Sequence, residues 1–223
     1  METNLAMHVL DAYQRFQETH SHIANMLAAE FMFVSGDLIS QKVLNKKINP
    51  RKLVYTATLA PFYGLCLEGL METGNLVGKY ISNNPILKAA LGPNLWGNAF
   101  NTFFFSNNTL GEKTNYSIPE LLKNYARIFS PSEIRKNKFW GNVRDKYWNN
   151  ISFSEYKKTV IATLTGWNIF QAFNYYAIPE SLRTSTTLIV GTIWTSVMTA
   201  WSSKGASNIN KRVIENAPTT PVS

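Results

Sequence analysis

Three long stretches of the chain carry no charged side chain. They cover residues 89–111, 159–179 and 184–203, and a helix of about 20 apolar residues crosses the hydrocarbon core of a membrane. Two other apolar stretches precede them, "IANMLAAEFMFVSGDLISQKVL" and "LVYTATLAPFYGLCLEGLMETG". The pattern predicts an all-α protein, a polytopic bundle of four to five transmembrane helices. The predicted spans lie near residues 23–44, 53–74, 86–106, 159–179 and 182–201.

Polar segments join and follow these spans. The longest is a polar connection over 111–158, which contains short helical segments such as "IPELLKNYARIF". Aromatic residues at helical spacing in such segments suit either the lipid headgroup region or an ordinary packing face. We therefore expect one membrane domain over 1–205 and a polar tail over 206–223.

Composition leaves one alternative to a membrane protein. The chain is 45% hydrophobic and 13% aromatic, which excludes a disordered protein, and its 16% charged residues fall below the usual share of about 25%. The mean hydropathy of −0.15 is nevertheless low for a chain made of membrane spans. A soluble helical protein with an aromatic core is therefore the alternative, unless polar connections and polar groups inside the spans lower the mean.

The basic residues are distributed unevenly across the predicted layout. The net charge is +8, and of the 22 Lys and Arg residues only Arg15, Lys79, Lys88 and Arg183 fall on one face of the five-span arrangement. The positive-inside rule then places the amino terminus on the less basic side. Anionic lipid headgroups are the expected partners of this charge. A nucleic-acid partner is not expected, because the basic residues form no recognition motif.

Carboxylates inside the first two spans are the first candidates for a functional site. Asp37 and Gln41 share one helix face with Glu30, while Glu68 and Glu72 form an i, i+4 pair on the next helix. A carboxylate at membrane depth is costly unless it is paired, hydrated or protonated. A position at the level of the lipid headgroups would suit Glu30 and Glu72 as well as one inside the membrane. Asp37 is therefore the strongest candidate.

Catalytic and metal-binding patterns are missing from the sequence. The histidines, His8, His20 and His22, all lie near the amino terminus, and no glycine-rich phosphate loop occurs. The only cysteine, Cys66, sits among apolar residues and is expected to be a buried small hydrophobe. We therefore predict a protein that is not an enzyme and has no cofactor or metal.

The stretch "WNIFQAFNYYAIP" (167–179) spaces the amides Asn168, Gln171 and Asn174 three residues apart. Together with "AYQRF", "FVSGDLISQK" and "APFYG", it resembles the family of Mpv-seventeen and the twenty-two-kilodalton peroxisomal membrane protein. The resemblance covers most of the chain in the family's order. Its signature residues here are Gly36, Trp167, Tyr175, Pro179 and Trp194, along with Asp37, Gln41, Gln171, Asn174 and Arg183.

The resemblance implies a channel-like protein of the mitochondrial inner membrane, or alternatively of the peroxisomal membrane. It places the amide edge of the fourth span either in hydrogen bonds to facing helices or to Asp37, or on a water-filled pore. The residues expected along this polar path or in these interhelical contacts are Asp37, Gln41, Gln171, Asn174 and Arg183.

The chain departs from the family pattern at several points. Asn168 replaces a proline, Cys66-Leu67 replaces a Trp-Tyr pair, and Gly92-Pro93 replaces an Asp-Gln pair. The polar connection and the tail are also longer than the family suggests. These departures support a second hypothesis, in which the protein is an accessory structural subunit of a larger inner-membrane assembly such as a respiratory complex. Self-association is the other partner interaction that we consider.

Overall fold

The computed structural model describes residues 2–45, 47–136, 138–146, 151–178 and 180–215. Within this part of the chain every regular element is helical, which confirms the all-α prediction. Among the described residues, π-helical turns at Ala90–Asn94 and Thr163–Trp167 interrupt these helices. The α-helices are α1 Glu2–Thr19, α2 Ser21–Asn45, α3 Pro50–Tyr80, α4 Pro85–Ala89, α5 Leu95–Lys113, α6 Ile118–Ile128, α7 Pro131–Arg135, α8 Phe139–Lys146, α9 Phe153–Ala162, α10 Asn168–Ala177 and α11 Glu180–Glu215.

Helix α2 lies between α3 and α11 and makes the most extensive contacts of the bundle. Helix α5 packs on α11 and α3, α9 packs on α11, and α10 packs on α4 and α11. Side chains of α6 reach this bundle through Leu121, which is buried in the core. Helix α1 packs against α2.

Local sequence explains where the helices begin. Asn49 caps α3, because its side-chain oxygen accepts hydrogen bonds from the backbone N–H groups of Arg51 and Lys52, and Pro50 occupies the first helical position, where no N–H is needed. Asn84 and Pro85 start α4 in the same way. The short connection after α2 therefore turns the chain sharply and lays α3 back along α2.

An aromatic cluster forms the centre of the bundle. The ring of Phe33 on α2 packs at 4.8 Å from Tyr63 on α3, and at 6.0 Å and 5.7 Å from Phe100 and Phe104 on α5. Rings at these separations and tilted angles attract one another beyond the gain from buried area. The cluster joins α2, α3 and α5.

Several polar side chains of the bundle are buried beside the aromatic core, and many large apolar side chains are exposed. Asp37, Gln41, Asn107 and Gln171 are almost completely buried, whereas large apolar side chains on the same helices face outward. The outward-facing set on the bundle helices includes Ile23, Leu27, Phe31, Val43, Val54, Phe62, Leu76, Trp96, Ile161, Leu164, Ile169, Phe173, Ile189 and Ile193. Large apolar side chains on the outside, with paired polar side chains inside, suit a lipid environment.

Within the described residues, two helices are long and apolar enough to cross a membrane by length and composition, Ser21–Val43 and Pro50–Tyr80. They coincide with the first two predicted spans. Helices also cover the other three predicted spans, with a π-helical turn at the predicted break at Gly92. At this turn the backbone of Gly92 approaches Gly74 on α3 so closely that an added Cβ would lie 2.6 Å from the Gly74 nitrogen.

Two expectations from the sequence differ from the structure. Helix α11 continues to Glu215, so the segment from 206 onward begins as helix rather than as a polar tail, and residues 216–223 lie outside the described part. Cys66 is exposed, not buried. It lies on the outer side of α3. Its sequence neighbours are apolar because this side of the helix belongs to the apolar exterior, not because it faces the core.

Candidate functional site

The Asp37 carboxylate lies at the centre of a buried polar network between α2, α3 and α11. Its Oδ1 atom is 3.2 Å from Nζ of Lys52, and its Oδ2 atom accepts hydrogen bonds from Thr56 Oγ1 at 3.1 Å and from Gln41 Nε2 at 3.0 Å. Lys52 also donates to Ser203 Oγ on α11 at 2.8 Å. The cost of the buried charge is therefore offset by an ion pair and by hydrogen bonds from two helices.

The sequence arranges this network through one turn of α2 and one turn of α3. Gln41 follows Asp37 by one helical turn, so its amide bonds the carboxylate while its Oε1 accepts the backbone N–H of Asn49 at 2.6 Å. Asn49 in turn caps α3, which places Lys52 and Thr56 on the side of α3 that faces Asp37. Gln41 thus connects the carboxylate to the turn that positions its partner.

Lys52 is the functional residue that the sequence argument missed. Two features of the sequence pointed to such a residue. An unpaired carboxylate in an apolar span is costly and therefore needs a nearby cation, and the basic run "KKINPRK" follows that span immediately. One of its basic residues lies inside the bundle and is almost fully buried.

A second carboxylate lies near Lys52 at the end of α5. Burial raises the pKa of Glu112, while the positive charge of Lys52 and a hydrogen bond with Tyr116 act in the opposite direction. The ammonium of Lys52 also lies 5.9 Å from the centre of the Tyr116 ring. Lys52 is therefore placed between two carboxylates, in contact with Asp37 and within electrostatic reach of Glu112.

The amides of α10 form a separate group. Asn174 Nδ2 donates to Thr187 Oγ1 on α11 at 2.9 Å, so this amide bonds a facing helix. Gln171 is buried on the wall of an internal cavity. Among the contacts of the described residues, the partners of Asp37 are Lys52, Thr56 and Gln41, and the expected bond from the α10 amides to Asp37 does not form.

Several signature residues of the resemblance lie at contacts between helices. The rings of Trp167 and Trp194 stack with centroids 5.6 Å apart, and Gly36 lies against Thr195, where a Cβ would also come within 3.0 Å of the Ser196 nitrogen. The Tyr175 ring lies 5.8 Å from the ammonium of Lys88. Pro179 and the side chain of Arg183 lie outside the described part of the chain.

The remaining acidic and histidine candidates lie near one another on α2 and α3. His22 Nδ1 is 2.9 Å from Oε2 of Glu68, so the carboxylate of Glu68 has a partner on α2. Glu72 is exposed and Glu30 half-buried. Among the described residues, no group of three or more His, Cys, Asp or Glu side chains could hold a metal ion.

No protein-family model, no curated protein and no solved structure matches this chain. The geometry of the bundle therefore carries the functional argument.

Proposed function

We propose that this protein is an integral membrane protein of the mitochondrial inner membrane, not an enzyme, whose four to five spans surround a gated, channel-like polar path. The observation that carries the proposal is the buried ion pair between Asp37 and Lys52. Apolar side chains of similar volume would stabilise a purely structural bundle at least as well, so a buried ion pair at the adjoining ends of the first two predicted spans favours a functional role.

A line of small polar side chains on α11 connects this ion pair to the internal cavity. Thr195 lines the cavity, Thr199 and Ser202 are buried, and Ser203 accepts the hydrogen bond of Lys52. Residues at this spacing share one helix face. Hydroxyl groups along that face offer hydrogen-bonding positions to a water or a small polar solute that moves between the cavity and the ion pair.

In this proposal the ion pair closes the path. Lys52 holds α2, α3 and α11 together through Asp37 and Ser203, and it lies within electrostatic reach of Glu112. Movement of the ammonium from Asp37 toward Glu112 would release Ser203 and open the end of the path. Two carboxylates competing for one cation provide the two states that a gate needs.

The membrane location rests on three observations. Large apolar side chains face outward while polar side chains such as Asp37 and Gln41 are buried, two of the described helices satisfy the length and composition criteria for a span, and basic residues concentrate on one predicted face. The choice of organelle rests on the resemblance to the Mpv-seventeen family, with the peroxisomal membrane as the alternative. Import into isolated mitochondria and into isolated peroxisomes, followed by alkaline extraction, distinguishes the two.

Conductance of the purified protein in planar bilayers tests the channel proposal. We expect a small conductance that rises in Asp37→Asn and in Lys52→Gln, because both changes weaken the closing ion pair. Lys123→Gln is the matched control, since Lys123 belongs to an exposed pair with Glu120 and its loss should change nothing. The proposal fails if neither the unmodified protein nor the two ion-pair variants conduct.

A second candidate function is that of an accessory subunit of a larger inner-membrane assembly, such as a respiratory complex. The observation that favours it is a set of large apolar side chains exposed on the polar connection, outside the predicted spans: Leu122, Phe129, Ile134 and Trp140. Such a surface suits a protein partner. Native electrophoresis of gently solubilised mitochondria tests it: comigration with a respiratory complex at fixed stoichiometry supports the subunit, and a small separate band supports the channel.

A further inference from the structure

The internal cavity lies between α2, α3, α5, α10 and α11 and has a volume of about 100 Å³. Its walls are mainly apolar, and the Trp167 and Trp194 rings form one side. An engineered apolar cavity of about 150 Å³ binds benzene, so this space suits a molecule of one small ring or a short chain. Its apolar lining residues are Met32, Phe33, Leu67, Leu70, Phe100, Trp167, Trp194 and Met198.

Most polar side chains on the cavity wall are already engaged within the protein. Asn101 donates to Thr163 at 3.1 Å, Thr187 accepts from Asn174 at 2.9 Å, and Thr195 donates to the Met32 carbonyl oxygen at 3.1 Å. These groups stabilise the wall and have less capacity left for a ligand.

Gln171 differs from these residues. Its side chain is 1% exposed, it lines the cavity, and its Oε1 atom has no hydrogen-bond donor among the described residues. Leaving a buried carbonyl oxygen without a donor is unfavourable. The wall of the cavity therefore contains one unsatisfied hydrogen-bond acceptor, which rotation of the Gln171 amide about its last side-chain bond would turn toward the otherwise apolar space.

A route into the cavity is visible on the outer surface. A groove of about 460 Å³ between α3 and α5 is lined by residues such as Cys66, Gly69 and Trp96, and it shares Leu70 and Phe100 with the cavity wall. Leu70 and Phe100 therefore lie between the cavity and the groove. If that exterior faces lipid, as in the proposed function, the groove opens into the hydrocarbon.

We propose that the cavity is a binding site for a small lipid-soluble phenol, whose ring occupies the apolar space beside Trp167 and Trp194 and whose hydroxyl donates a hydrogen bond to Gln171 Oε1. The acceptor selects molecules with a hydroxyl over hydrocarbons of equal size. Entry from the bilayer rests on the membrane location in the proposed function. Binding itself requires only the cavity.

Fluorine NMR titration of the whole protein in detergent micelles tests this site with three probes: 4-fluorophenol, 4-fluoroanisole and fluorobenzene. The phenol has a donor, the anisole only an acceptor, and fluorobenzene neither. We expect 4-fluorophenol to bind about five- to tenfold more tightly than the other two, the net effect of one hydrogen bond. Equal affinities for the three probes would overturn the proposal.

Two variants separate the site from simple partitioning into the micelle. Gly97→Val fills the cavity from α5, and its Cβ meets Thr163 Cγ2 at an ordinary 3.7 Å, so it should abolish binding of all three probes. Gly141→Val is the matched control, because a Cβ there meets no atom within 4 Å, and binding should persist. Binding that survives Gly97→Val overturns the site.

Gln171→Leu tests the hydrogen bond itself. This change removes the unsatisfied acceptor with little change in volume, so we expect the fold to persist, the phenol preference to disappear and fluorobenzene binding to remain. A phenol preference retained in Gln171→Leu contradicts the role of Gln171. If this variant fails to fold, the three-probe comparison and Gly97→Val still decide the question.

The outcome is independent of the channel proposal. Binding without conductance leaves the ligand site intact and rejects the channel. Conductance without binding rejects the ligand site alone. The route can be tested through Cys66, the only cysteine: a bulky maleimide on its thiol should slow association of 4-fluorophenol, and an unchanged rate overturns entry through the groove.

Discussion

The ammonium of Lys52 lies 3.2 Å from the carboxylate of Asp37, and both side chains are almost fully buried. Removing one partner leaves the other charge buried without compensation, which typically costs about 3 to 5 kcal/mol. We expect Lys52→Met to lower the free energy of unfolding by about that amount, measured by denaturant titration in detergent micelles.

The double variant Asp37→Leu/Lys52→Met tests the cause of that loss. Replacing both charges removes the uncompensated ion, so the double variant should be more stable than Lys52→Met alone. Lys123→Met serves as the control, because its pair with Glu120 is exposed and contributes less than about 1 kcal/mol. A double variant that is less stable than either single variant would contradict the assignment.

The contact between Gly36 and Thr195 gives a second prediction. A Cβ at Gly36 would overlap the Thr195 hydroxyl oxygen and lie 3.0 Å from the Ser196 backbone nitrogen, so α2 and α11 would have to move apart. Such overpacking costs about 1 to 3 kcal/mol. Gly36→Ala should therefore destabilise the protein in the same titration.

Gly69→Ala is the matched control, because a Cβ there meets no atom within 4 Å. Alanine is a better helix former than glycine by about 0.5 to 1 kcal/mol, so this variant should be slightly more stable than the unmodified protein. Equal effects of the two substitutions would mean that helix propensity, and not the contact between α2 and α11, determines the result.

Hydrophobic patterning predicted the helices well, because long uncharged stretches have few alternatives to helix. It predicted less about the interior. A carboxylate in an apolar span indicates that a cation must lie nearby, but only the fold identifies Lys52, since the turn capped by Asn49 decides which basic residue faces inward.

The sequence also could not show that Asp37 and the amides of α10 belong to two separate polar groups. It predicted Asp37 and Gln171 along one polar path or in interhelical contacts, yet each is positioned by different neighbouring helices, and those tertiary contacts leave no periodic signal. Cys66 shows the converse limit. An apolar neighbourhood indicates burial only when the exterior is polar, and on this bundle the exterior is apolar.

Asn107 holds three helices together through tyrosine hydroxyls. Its Oδ1 accepts from Tyr125 at 2.7 Å, its Nδ2 donates to Tyr63 at 3.3 Å, and its backbone carbonyl accepts from Tyr55 at 2.9 Å. Asn107→Leu should destabilise the protein by about 2 to 4 kcal/mol, because it removes the hydrogen bonds to the buried Tyr63 hydroxyl and the half-buried Tyr125 hydroxyl.

Tyrosine variants show which hydrogen bond of Asn107 accounts for the loss of stability. Tyr125→Phe should cost about 1 to 3 kcal/mol because it leaves Asn107 Oδ1 without its donor, and the double variant Asn107→Leu/Tyr125→Phe should cost less than the sum of the two. The exposed Tyr176 supplies the control Tyr176→Phe, with an effect below about 0.5 kcal/mol. Strict additivity of the two core changes would argue against a shared network.

Glu112 gives a prediction for pH. Burial raises the pKa of its carboxyl above the ordinary value of 4.5, although Lys52 and Tyr116 oppose the rise. The folded protein then retains a proton at pH values where the unfolded chain has lost it, so this stabilising contribution is fully present below pH 4.5 and is lost as the pH rises through the raised pKa. Glu112→Gln cannot lose a proton, so its stability relative to the unmodified protein should increase from pH 4 to pH 7 in thermal unfolding measurements.

Glu120→Gln, at an exposed position, should show no comparable increase. A Glu112→Gln difference that is constant over this range would show that the carboxyl titrates alike in the folded and unfolded chain, and that the charge of Lys52 offsets the cost of its burial completely.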